Sequence, residues 1–175
     1  FLEDAKITAE EILSYEPFKS HSDKFNFIAV LSPSLDSNVS VPQEEAWRNT
    51  AVGSNFMTFY MARYLTSGNV YSMYDLATNI PCEHFIILAN TDTYGGGGIY
   101  NSYTLTTAHH RDFRPVVVHE FGHSFAGLGD EYFYDNADDN DNMHSLKHEP
   151  WEPNITTLVD FDSKWADMMT EGIEV

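Results

Sequence analysis

The chain has one cysteine, Cys82, so no internal disulfide can brace it, and the redox compartment stays open. Positive charge is scarce: Lys and Arg number 9 against 27 Asp and Glu, for a formal net charge of −18. Such a surface repels phosphates and anionic headgroups, which argues against nucleic acid and membrane surfaces as partners. Solubility, or a preference for cationic substrates, is what it favours. No apolar run approaches the roughly 18 residues of a membrane span. No signal peptide opens the chain, which starts at Phe1 inside a helical pattern, so further N-terminal material is expected before it. No internal repeat and no long linker divides the 175 residues, and 42% hydrophobic content suits one globular domain with a sizeable core.

What the chain does have is concentrated in Val116–Tyr132, VVVHEFGHSFAGLGDEY. His119, Glu120 and His123 spell H-E-x-x-H, the zinc-peptidase signature. On a helix, residues i and i+4 differ by only roughly 40° in azimuth, so both imidazoles leave one face. Two nitrogens can then reach one Zn²⁺ at about 2.0–2.1 Å. Glu120, turned roughly 100° away, is better placed to take a proton from the attacking water than to be a ligand. The bland alternative is a metal-free helix whose histidines are core residues. Gly122 and Ser124 are small enough for close packing, and Gly127 and Gly129 are expected to break the helix.

A catalytic zinc usually has three protein ligands. The string reads H-E-x-x-H-x-x-x-G-x-x-D, one residue longer before the glycine than the metzincin pattern, with Asp130 where the third ligand would fall. Glu131 is the near alternative, and a downstream glutamate, Glu149 or Glu152, the remote one; a solvated loop carboxylate is the bland reading of Asp130. No serine or cysteine nucleophile signature competes.

HEFGHSFAGLGDEY, YGGGGIYN (Tyr94–Asn101) and EPWEPNITTLVDFDSKW (Glu149–Trp165) together resemble the IgA-peptidase family of bacterial metallopeptidases, over about Glu16 to Trp165. The resemblance implies an α/β metzincin-like fold: a twisted, mostly parallel sheet with an antiparallel edge strand and an active-site helix. It implies zinc, proteolysis of protein or peptide substrates, and a secreted or cell-surface location. His119, Glu120, His123 and Asp130 carry over. Metzincin-like enzymes also place a methionine turn beneath the metal. Cys82 lies upstream of the helix, and Met168 and Met169 read as helical, so residues 1–175 are expected to be a single catalytic domain from a longer chain. A non-catalytic protein- or glycan-binding module that kept the metal site is the rival from another class, and a zinc hydrolase of non-peptide substrates a second; an intact Glu120 speaks against the first.

Elsewhere, Phe1–Tyr15 and Asn69–Asn79 read as helices, Leu158–Met169 as a C-terminal helix, and Phe25–Leu31 (FNFIAVL) and Phe85–Ala89 (FIILA) as buried strands. Ser32–Glu45 reads as a surface loop, and Phe56–Leu65 is ambiguous between helix and strand. The glycine run Gly95, Gly96, Gly97 and Gly98 points to a close backbone approach. By resemblance it forms the rim that pairs with an extended substrate; a flexible turn is the alternative. Ile99–Thr106 is expected to alternate as a half-exposed strand. His109 and His110 read as a solvated loop, with a second metal site the alternative. Asp135–Asn142 reads as an acidic loop, with calcium the minor option. Tyr132 and Tyr134 suit ring packing or an oxyanion contact. Trp151 and Trp165 read as core anchors.

Overall fold

The computed structural model describes residues 1–132 and 144–173, which form two compact units, Phe1–Ala126 and Gly127–Val175. The acidic run Asp135–Asn142 and Tyr134 lie outside the described residues.

The first unit is mixed α/β. Its sheet has three strands: β3 (Phe85–Ala89), β4 (Gly96–Ile99) and β5 (Tyr103–Thr107), in the spatial order β3-β5-β4. β3 pairs parallel with β5, Phe85 opposite Tyr103, and β4 pairs antiparallel, Gly96 opposite Thr106. One parallel and one antiparallel pairing make the sheet evenly mixed where a mostly parallel one was expected; the expected antiparallel edge strand is β4. A two-stranded ribbon, β1 (Ser54–Asn55) with β2 (Thr66–Ser67), lies apart from it in the topology.

The apolar run FIILA follows from burial on both faces. Phe85, Ile87 and Ala89 pack with Val39, Val52, Phe56, Leu65, Met73, Tyr103 and Leu105. Ile86 and Leu88, pointing the other way, pack with Ile12, Phe113, Val117 and Phe121. The first cluster takes in α2 (Val70–Leu76) through Met73; the second joins α1 (Leu2–Ile12) to α3 (Phe113–Ala126). Asn69 caps α2, its side-chain oxygen accepting the Ser72 N–H at 3.1 Å.

Three expectations give way here. Phe25–Leu31 forms no strand: none of its residues joins a ladder, and Leu31 is 69% exposed. An apolar run supplies side chains but not the neighbouring N–H and C=O groups that a strand requires. Its Phe25 ring instead meets Phe18 edge-on and Phe125 at a tilt, over one flank of α3. Ile99–Thr106 is not one half-exposed strand either. It contains the turn from β4 into β5, with Asn101 at φ +56°, and β5 is buried throughout. Thr104 mimics an exposed residue because its hydroxyl is bonded internally, Oγ1 lying 2.5 Å from Ser124 Oγ on α3. Phe56–Leu65 is neither helix nor strand beyond a short 3₁₀ turn, Thr58–Tyr60.

In the second unit the expected helix over Leu158–Met169 shrinks to α4 (Phe161–Lys164) and a 3₁₀ turn, Ala166–Met168. Leu158 takes a left-handed φ of +64°, and Lys164 donates to the Pro150 carbonyl at 2.7 Å and to that of Ile155. These tertiary anchors fix the chain before a second helical turn can add to the first. Trp165 is half-buried, its Nε1 donating to the Pro153 carbonyl at 2.9 Å, as an anchor should. Trp151 is 64% exposed and is no core anchor. Among the described residues no helix is long and apolar enough to cross a membrane.

Candidate active site

The site is built on α3. Pro115 lies in its first turn, where its missing N–H costs no hydrogen bond. Val117 and Phe121 bury the inner face, and the helix stops where Gly127 turns left-handed at φ +68°. Gly129 has no such φ; its lack of a side chain answers to packing within the second unit. A Cβ there would stand 2.7 Å from Ile155 Cδ1, and the Asn154 side chain clamps the Gly129 backbone, accepting its N–H at 2.8 Å and donating to its carbonyl at 2.9 Å.

His119 and His123, one turn apart, bring their Nε2 atoms to 2.9 Å, with the rings nearly perpendicular. Neither is a core residue: His119 is exposed and His123 half-buried. The Glu120 carboxylate joins them, one ligand atom from each residue lying within 4.8 Å of the others. Two nitrogens on one tetrahedral zinc stand roughly 3.3–3.4 Å apart. The pair needs to open by only a few tenths of an ångström to fit that ion. Among the described residues this is the one group of three or more metal-competent side chains. His109 and His110 diverge, the first bonding Asn90 Oδ1 at 2.9 Å and the second turning towards Asp112.

β4 runs directly against this helix, and that is where the glycines belong. A Cβ at Gly96 would stand 2.7 Å from Glu120 Oε1, and one at Gly98 would collide with the Glu120 carbonyl and stand 2.7 Å from His123 Cβ. On the opposite face, a Cβ at Gly95 would stand 2.5 Å from the Arg63 carbonyl, and one at Gly97 would strike that of Leu65. Both faces of the run are thus closed to side chains, and Gly96–Gly98 lie in a strand and not in a flexible turn. Its outer edge is partly taken: Gly96 N–H donates to Arg63 O at 3.2 Å, and Leu65 N–H donates to Gly96 O at 3.0 Å. Alternation along an antiparallel strand makes Gly98 the next residue whose backbone groups face outward.

Sequence reasoning missed a buried polar cluster behind His123. His84 Nε2 lies 3.0 Å from Ser124 Oγ and 3.3 Å from Thr104 Oγ1, with Phe121 and Phe125 edge-on to its ring. Burial holds the His84 pKa below its ordinary value of 6.5. The only signal in the sequence was Ser124 itself, a polar residue on the inner face of a helix.

The other candidate ligands lie in the second unit. Asp130 is half-buried. Glu131 accepts a hydrogen bond from Asn154 Nδ2 at 2.7 Å. Glu149 faces Lys164 Nζ at 3.3 Å and accepts the Asp160 N–H at 3.2 Å. Desolvation raises its pKa, but hydrogen bonds from Thr156, Asp160 and Lys164 outweigh this and bring it to about 2. Glu152 lies 3.9 Å from His144. Tyr132 is exposed.

No curated protein matches the chain. Its H-E-x-x-H helix, with both imidazoles and the carboxylate gathered against a glycine strand, agrees with a family match over residues 1–175, and the chain belongs to the IgA Peptidase M64 family of metallopeptidases.

Proposed function

We propose that this protein is a zinc-dependent endopeptidase in which Glu120 is the general base. The observation that carries the reading is the convergence of His119 Nε2, His123 Nε2 and the Glu120 carboxylate within 4.8 Å. His119 and His123 would hold the ion, with Asp130 as the third protein ligand. Zinc, when bound, supplies Lewis-acid polarisation of the scissile carbonyl and an acidified water. Glu120 would take a proton from the attacking water on a carboxylate oxygen and return it to the leaving amine. Gly96 leaves room for the carboxylate to do so, because any side chain there would occupy its place. The outward N–H and C=O of Gly98, within the rim Gly95–Gly98, would pair with an extended peptide. A metzincin-like architecture and a secreted or cell-surface location belong to the same proposal. The antiparallel edge strand beside the helix supports the first, and family resemblance supports the second.

Glu120→Gln tests it. The substitution keeps shape and hydrogen-bonding reach but removes the basic carboxylate. Zinc content and melting temperature should hold while kcat on a peptide substrate falls about 10²–10⁴-fold. Activity retained within about tenfold, with a His119→Ala control inactive, would reject Glu120 as the base.

A further inference from the structure

Beside the site stands an exposed aromatic turn that the proposed chemistry does not use. Phe59 and Tyr60 form its tip and are 78% and 91% exposed. Met57, Phe59 and Tyr60 all take left-handed φ values, +68°, +55° and +63°. Bulky residues rarely adopt that conformation, which turns ordinarily assign to glycine or asparagine. Here the rings are kept and the backbone is held around them. Tyr60 N–H donates to Met57 O at 3.1 Å, Met61 N–H to Thr58 O at 3.1 Å, and the Thr58 and Thr66 hydroxyls meet at 2.6 Å.

The foot of the turn is fixed to the site. Arg63 and Leu65 bracket Gly96 through its N–H and C=O, and Gly96 is the residue against which the Glu120 carboxylate lies. One strand residue is therefore in contact with both the Glu120 side chain and the foot of the aromatic turn. From Arg63 to Phe59 the chain spans at most about 14 Å. The step from Arg63 across Gly96 to Glu120 adds roughly 9 Å, and an extended peptide advances roughly 3.3 Å per residue, so the rings come within about seven residues of a bond cleaved at Glu120.

We propose that Phe59 and Tyr60 are specificity-determining residues that select polypeptides carrying an apolar side chain within about seven residues of the scissile bond. The inference rests on the peptidase reading and adds a substrate preference to it. Two rings exposed on a chain of net charge −18 offer an uncharged contact that releases water when an apolar side chain covers it.

The test compares the intact protein with a Phe59→Gly/Tyr60→Gly variant and a Phe59→Leu/Tyr60→Leu variant on a proteome-derived peptide library. Glycine suits both φ values, so the first variant keeps its fold, which a melting curve verifies. The protein should prefer an apolar residue at one position within about seven of the cut. In the glycine variant kcat/KM for such peptides should fall about 10–200-fold, while peptides lacking that residue change by less than about threefold. The leucine variant should retain most of the preference. An unchanged preference, or an equal loss on all peptides, overturns the proposal; equal loss would mean that the turn only props β4.

A second measurement is independent of cleavage. Glu120→Gln protein on an array of the same peptides should bind the apolar ones, and adding the glycine pair should abolish that binding; binding that persists overturns the proposal. If the intact protein cuts nothing while turn-dependent binding holds, the peptidase reading fails and the recognition turn stands. Cutting without turn dependence is the reverse failure. Self-association lost in the glycine variant, with peptide binding intact, would assign the turn to a second copy and overturn it too.

Discussion

Gly96→Ala separates the chemistry of this site from its scaffold. The added methyl would stand 2.7 Å from Glu120 Oε1, 2.8 Å from its Cγ and 3.0 Å from its Cδ, and from no other residue so closely. All three atoms belong to one flexible side chain, so Glu120 yields and the strand stays. Reaching an ordinary contact of 3.4 Å moves the carboxylate oxygen by roughly 0.7 Å. Misplacing a reacting group by about 1 Å costs on the order of 10²-fold, and losing a general base entirely about 10²–10⁴-fold. The expected outcome is a fall in kcat of about 10²-fold. Zinc content should be unchanged, and the melting temperature lower by less than about 4 °C, equivalent to about 1 kcal/mol at this chain length. Gly98→Ala is the contrast, because its methyl strikes the Glu120 backbone carbonyl and His123 Cβ, which cannot swing aside. Overpacking of that kind costs about 1–3 kcal/mol, and it displaces His123, a proposed zinc ligand, so stability and zinc retention should fall together. The measurements are steady-state kinetics on a fluorogenic peptide, metal content by mass spectrometry, and calorimetry. A Gly96→Ala protein with kcat within about threefold of the original would refute the placement of Glu120. A melting temperature lowered as far as in Gly98→Ala would show that the strand had given way.

Two further outcomes are expected. His84, half-buried among Ser124, Thr104 and two phenylalanines, has a folded pKa below 6.5, so as pH drops past 6.5 the unfolded chain takes up its proton first and stability is lost until the folded pKa is passed. The melting-temperature advantage over His84→Gln should therefore shrink between pH 8 and pH 5, and an advantage that grows on acidification would contradict this. Asp130→Ala should weaken zinc retention, read by competition with a chelator, far more than Glu131→Ala, whose carboxylate is already taken up by Asn154; the reverse ranking would move the third ligand to Glu131.

The sequence alone determined the features whose cause is local. Two histidines four residues apart on a helix must share a face, so the His119/His123 convergence was legible before any fold was known. The same holds for the helix end at Gly127 and the buried strand Phe85–Ala89. Partnership between distant segments was not legible, because pairing depends on which backbone groups arrive alongside. FNFIAVL and FIILA carry the same apolar signal, yet only the second meets a strand. The glycine run announced a close approach but not its partner, and the tertiary structure identifies this as α3 on one face and Arg63–Leu65 on the other. Thr104 looks like a solvent-facing residue in the sequence and is buried because Ser124 supplies its hydrogen bond. Phe59 and Tyr60 look like core and are exposed, because the segment carrying them is fixed at its foot to Gly96 and turns back at left-handed φ before its rings can be covered.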